Sequence, residues 1–114
     1  MSAPIWAIMP VLAGPEMTIA AVSDLLAQSV PLQILIVNQG VEDDFRDQLE
    51  KIAEQHPSVM VWHHVPSLPS LAATWNRSLD AAWEAGCEQA FVVNNDVRLH
   101  RETVEVLSLA QQYE

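Results

Sequence analysis

Short apolar runs alternate with longer amphipathic runs along the whole chain. Residues 5–9 are apolar strand formers, and Pro10 is expected to stop them. Gly14-Pro15 opens a helix, because the missing N–H of proline does no harm in a first turn. Glu16 in that turn suits the helix dipole. Ile19, Val22 and Leu26, with Leu25 beside them, then share one face, and the helix is expected to end near Gln28, before Pro31. Residues 34–37 are four strand formers in a row, followed by an Asn38-Gln39-Gly40 turn. Phe45, Leu49, Ile52 and Ala53 recur at helical spacing, with Asp44, Asp47, Glu50 and Lys51 on the other face. The acidic run Glu42-Asp43-Asp44 favours the start of that helix, and Pro57 closes it.

Residues 59–63 read as a third strand and residues 65–69 as a stiff loop. Ser70 can cap a third helix running to Ala85, and Gly86 suits the left-handed position just past its end. The run Ala90-Phe91-Val92-Val93-Asn94-Asn95-Asp96-Val97 is a short, β-branched strand that ends abruptly in three polar side chains. A last helix is expected from about Arg101 to Gln112.

The order is therefore βαβαβαβα in one domain of 114 residues. Such alternation predicts an α/β fold of three layers, αβα: a Rossmann-like half with a mostly parallel sheet of about four strands. The near-continuous apolar character of the second and fourth strands suits strands buried on both faces. The common half-unit orders its strands 3-2-1-4, which sets the first and fourth side by side. Ligands of such sheets bind at the carboxyl ends of the strands. The loop between Pro10 and Pro15 and the Asn94-Asn95-Asp96 tip would then face each other, with Asp96 a hard oxygen ligand placed where a metal-bound phosphate could sit.

Composition narrows the partners. Half of the residues are hydrophobic, ample for a packed core. The formal net charge is −10, with 15 acidic residues against 5 Lys plus Arg, so nucleic-acid binding is not expected. The same charge opposes a nucleotide unless a divalent cation bridges carboxylate and phosphate. No apolar run approaches a membrane span, the N-terminus does not read as a signal peptide, and the single cysteine suits a reducing cytosol. The expected location is cytoplasmic.

Each candidate has a plainer role available. Asp96, Asn94 and Asn95 can serve a turn through their own backbone bonds, and Asn95 is the more structural of the asparagines. Asn76 sits on a helix, where an asparagine is often merely exposed. His63 and His64 are adjacent on a strand and point to opposite faces, so they do not share a metal. His56 and His100 are isolated near helix ends. Cys87 reads as a buried spectator rather than a nucleophile. Trp6, Trp62, Trp75 and Trp83 read as core, although any of them could stack on a base. With three glycines there is no glycine-rich phosphate loop, and no hydrolase triad is recognisable.

Read in order, these segments resemble the nucleotide-sugar-binding half of GT-A-fold glycosyltransferases, particularly the large family 2 type. Ile8-Met9-Pro10 with Pro15-Glu16 looks like its opening strand and turn. Leu25-Leu26-Ala27-Gln28-Ser29 is similar to its first helix end. Ile34-Leu35-Ile36-Val37-Asn38-Gln39-Gly40 is similar to its second strand and turn, and Leu71-Ala72-Ala73-Thr74-Trp75-Asn76 to the helix carrying an Asn near the donor. Val93-Asn94-Asn95-Asp96-Val97 resembles its metal motif in an Asn-any-Asp form.

The resemblance implies that Asp96 binds Mg²⁺ or Mn²⁺ against the donor diphosphate. It implies that Asn94 contacts ribose or a metal-bound water, with Asn95 between them in the motif. Backbone groups of Pro10 and Val11 would line the base pocket. Asn38 stands where an Asp usually reads the base, and Asn76 would support the diphosphate or the sugar. The donor would be a nucleotide sugar and the transfer inverting.

Two departures stand out. Asn38 replaces an acid, and the half of the family fold that supplies the acceptor site and general base is not recognisable, so no catalytic base can be named. A non-catalytic interaction module built on the same fold is the competing expectation. A phosphoacceptor receiver domain would want an acid cluster after the first strand, where Ile8-Met9-Pro10 offers none. A sheet that stops beside its fourth strand exposes apolar edge, which predicts self-association or docking on a partner chain. A strictly monomeric chain by light scattering at high concentration would contradict that prediction.

Overall fold

Which residues face which layer follows from the sheet. In a computed structural model that describes residues 5–11, 14–39, 43–63 and 71–112, the elements are β1 (Ile5–Val11), α1 (Pro15–Leu26), β2 (Gln33–Asn38), α2 (Asp43–Gln55), β3 (Val59–His63), α3 (Leu71–Glu84), β4 (Gln89–Val92) and α4 (Thr103–Gln112). All four strands are parallel, in the order β3-β2-β1-β4. This is the α/β, Rossmann-like arrangement that the alternation predicts. Gly40, Glu42, His64, the loop at 65–69 and the Ser70 cap lie outside the described residues.

Side chains alternate across the strands, so two cores form, one on each face of the sheet. On one face Ala7, Met9, Val11, Ile34, Ile36 and Val59 pack against Ala21, Val22 and Leu25 of α1, Phe45 and Leu49 of α2, and Val104 of α4. On the other, Trp6, Ile8, Leu35 and Val37 meet Ala82 and Cys87, with Leu79, Trp62 and Ala90 alongside. Every residue of β2 is buried. β4 is not, for it lies at the sheet edge and Val92 is exposed. Its apolar character therefore does not mark burial on both faces, as the sequence led one to expect.

Pro10 does not end β1. Its register partner is Val37, and the strand continues through Val11. The reason lies in alternation. The Ile8 carbonyl accepts from the Val93 N–H on the β4 side, while the Val11 carbonyl accepts from the Gln39 N–H on the β2 side. Pro10 therefore turns its missing donor toward β4, whose pairing with β1 reaches only Ile8. No ladder bond is lost there.

The buried stripe of α1 is Thr18, Ala21, Val22 and Leu25, which rotates Ile19 outward to 39 % exposure. Trp83, read from sequence as core, is 52 % exposed. Eight residues of helix place it about 80° around from Trp75, and the buried stripe follows Ser78 and Ala82 instead. Gly86 does take the left-handed conformation, at φ 89°. Its N–H bonds the Trp83 carbonyl and the Cys87 N–H bonds the Ala82 carbonyl, while Cys87 and Ala82 share the second core. Such a paired ending stops α3 and turns the chain into β4. No described helix is long and apolar enough to cross a membrane.

Candidate functional site

The carboxyl ends of β1 and β2 lie side by side, with Val11 opposite Asn38. Pro10 and Val11 are buried, and the Val11 carbonyl accepts the Gln39 N–H at 2.9 Å. Asn38 is only 3 % exposed. Its Nδ2 donates to Nδ1 of His63 at 2.8 Å, which leaves the imidazole proton on Nε2. That nitrogen faces Glu50 Oε1 at 3.3 Å. Asn38 thus ties β2 to His63 on β3, and the His63 Nε2 lies near the exposed Glu50 carboxylate of α2 without a hydrogen bond to it. His63 was set aside in the sequence.

The tip of β4 lies on the other side of β1. After the Val93 N–H bonds the Ile8 carbonyl at 2.8 Å, the chain leaves the sheet. Asn94 is exposed and borders a shallow groove of about 270 Å³ whose apolar walls include Phe91, Val97, Leu99 and Leu107. Asn95 turns inward, and its Nδ2 donates to Thr18 Oγ1 at 2.9 Å. Thr18 is wholly buried, and its hydroxyl in turn donates to the Gly14 carbonyl at 2.9 Å. Gly14 holds φ 80°, and a Cβ there would stand 3.6 Å from Asn95 Nδ2 and only 2.5 Å from the Met17 methyl. The start of α1 and the β4 tip therefore meet. Asp96, the next residue, is exposed.

Beyond Asp96 the chain runs along α1. Asp24 accepts from Arg98 through both oxygens, at 2.8 and 3.1 Å, and from the Leu99 N–H at 2.9 Å. Gln28 donates to the His100 carbonyl at 2.8 Å and accepts from the Val104 N–H at 2.9 Å. The Ser29 N–H adds a bond to the Arg101 carbonyl at 2.8 Å. Arg98 and the Leu99 N–H hold the Asp24 carboxyl below its ordinary value. Burial pushes the Cys87 thiol up, away from the reactive thiolate.

Asn76 is exposed and lies elsewhere, in an open groove of about 640 Å³ between Trp62 and the α3 residues Arg77, Asp80 and Glu84. The structure thus brings Pro10, Val11 and Asn38 together, sets Asn94, Asn95 and Asp96 at the neighbouring strand end, and leaves Asn76 on a separate groove. Among the described residues no three His, Cys, Asp or Glu side chains cluster as a metal site. Asp24, Gln28 and Arg98 escaped the sequence reading. Asp24 and Arg98 lie 74 residues apart, and no local pattern links them. Gln28 was visible only as part of the run ending α1.

The depressed Asp24 carboxyl makes the tie to Arg98 pH-dependent. Asp24 binds its proton more weakly when folded, so its stabilisation is complete above the ordinary value of 3.8 and is lost as pH falls through the lower folded value. The Tm gap between wild type and Asp24→Asn should therefore be widest near neutrality and close progressively below pH 3.8. A gap that stays constant down to pH 2 would contradict this, measured by circular dichroism on both proteins.

No family model and no curated protein matches the chain. Solved structures do. The mannosyltransferase PcManGT from Pyrobaculum calidifontis, in complex with GDP-Man and Mn²⁺, superposes with a TM-score of 0.75 at 17 % identity, over 91 % of this chain and 31 % of that one. S. aureus TarS 1–349 superposes with a TM-score of 0.67 at 15 % identity, over 99 % of this chain and 33 % of that one. The chain spans about a third of each. Identities this low establish the fold. The 3-2-1-4 parallel sheet with its helices is that of a GT-A-like glycosyltransferase fold.

Proposed function

We propose that this chain is the donor-binding part of a nucleotide-sugar-dependent glycosyltransferase. The observation that carries this reading is the position of Asp96: an exposed carboxylate at the tip beyond β4, the strand that pairs with β1. The fold is shared with a mannosyltransferase whose structure contains GDP-Man and Mn²⁺. The donor set fits a hard cation. A single exposed carboxylate, a hard oxygen donor, suits Mg²⁺ or Mn²⁺ shared with a diphosphate and water, and does not suit zinc. Such a cation, when bound, stabilises charge on a departing nucleoside diphosphate.

In this reading Asp96 is the protein ligand and Asn94 contacts ribose or a metal-bound water. Asn95 fixes the tip. Pro10 and Val11 line the base pocket, with Asn38 behind them. Asn76, on its separate groove beside Trp62, is left out of this reading. Transfer to a saccharide or other acceptor is by direct displacement at the anomeric carbon, with inversion, in the cytoplasm. A second reading, an interaction module, is favoured by the exposed Val106, Leu107 and Leu109 of α4 beside the edge strand β4. That surface suits a second copy or a partner chain.

Calorimetric titration with UDP, GDP and dTDP separates the two. At a net charge of −10, a diphosphate alone should bind negligibly, binding should appear with Mn²⁺, and Asp96→Ala should abolish it. No binding of any nucleotide by a folded sample with Mn²⁺ would favour the interaction module.

A further inference from the structure

The stretch from 93 to 102 has no helix or strand of its own, yet α1 and the residues just past it bond it on both sides of Asp96. Asn95, one residue before Asp96, bonds Thr18. Arg98 and Leu99, two and three residues after it, bond Asp24. His100, Arg101 and Val104 bond Gln28 and the Ser29 backbone. Gln28, two residues past the end of α1, uses both ends of its amide on this stretch, and a further bond from Nε2 to the Asp24 carbonyl at 3.1 Å braces it against the helix. The helix making these bonds is itself immobilised, because Thr18, Ala21, Val22 and Leu25 are buried against the sheet.

Stability alone is a poor account of this arrangement. Arg98 is 72 % exposed against 15 % for Asp24, and ion pairs with so exposed a partner add little to folding. What the ties do achieve is geometric. They fix the backbone on both sides of Asp96 while its carboxylate stays in solvent. A ligand held that way is pre-organised, since the ordering cost is met on folding rather than on binding.

We propose that Asp24 and Gln28 are positioning residues, which clamp the chain beyond β4 to α1 and so hold Asp96 at the sheet edge for a cation shared with a diphosphate. This rests on the reading of Asp96 as a metal ligand. It adds that the affinity of the site is set by side chains at the end of α1 and just beyond it that never touch the ligand.

The test compares wild type with Asp24→Asn and Gln28→Ala, two variants that fail to fold for different reasons if either fails. Backbone relaxation of ¹⁵N-labelled, ligand-free protein reports the order of residues 94–97 against that of β1 and β2. Electron paramagnetic resonance reports Mn²⁺ affinity in the presence of UDP, GDP and dTDP in turn. The expected result is a loop loosened at 94–97 with the strands unchanged, and Mn²⁺ affinity lowered about tenfold in folded protein, the usual scale for losing a supporting partner of a metal ligand. A merely structural role would lower Tm without moving either readout at 25 °C. Wild type that takes up no Mn²⁺ with any of the three overturns the reading of Asp96 and the clamp with it. Mn²⁺ uptake that both variants share undiminished overturns the clamp alone.

Discussion

Four parallel strands must end at one edge, and everything of chemical interest in this chain follows from that constraint. Each crossover helix returns the chain to the opposite end of the sheet, so the carboxyl ends of β1, β2, β3 and β4 collect together. β1 pairs with both β2 and β4, and so it divides that edge into two halves. On one side Asn38 donates to His63 across β2 and β3. On the other, past the end of β4, Asn95 turns in to Thr18 and Asp96 stays exposed. Pro10 fits between them because it lies past the last β4 pairing, where no partner asks for its N–H.

α1 is the element that turns this edge into a candidate site. Its first turn receives Asn95 through Thr18, and its last turn, with Gln28 just past it, receives the chain beyond Asp96 through Asp24 and Gln28. One helix therefore sets both the closeness of the β4 tip to β1 and the path of the chain into α4. The hydrophobic face of α1 supplies the rigidity, and its polar positions supply the grip. Buried Thr18 belongs to both sets: it lies on the core-facing stripe and bonds Asn95 across the gap.

The sequence carried the fold more clearly than the site. Short apolar runs for the strands and a 3.6-residue period for the helices placed the elements, and the strand order followed from general rules of parallel sheets. Errors arose where a local rule met a tertiary circumstance. Pro10 seemed a strand breaker because the end of β4 is invisible locally. Trp83 looked like core because spacing by eight drifts around a helix, and only packing shows which residue of a ring of candidates faces inward. The Asn94-Asn95-Asp96 tip was legible as a polar stop after an apolar strand. Its support was not, because Asp24 to Arg98 and Asn38 to His63 are contacts between residues far apart in the chain, each unremarkable where it stands. His63 in particular looked like half of a doubtful histidine pair, whereas its role is set by Asn38 on the next strand.

An acidic protein that binds an anion must arrange for the repulsion to be screened at one place only. In the proposed reading, a single exposed carboxylate held at a fixed position would do this by recruiting a cation there. The central claim is thus one of location, and the most direct measurement is paramagnetic broadening of a ¹⁵N-labelled sample by Mn²⁺ added with a nucleoside diphosphate. The account predicts that amide signals vanish first at residues 94–97 and next at Val11. Broadening centred on the acidic face of α2, around Asp47, Glu50 and Glu54, or the absence of any localised broadening, would contradict it.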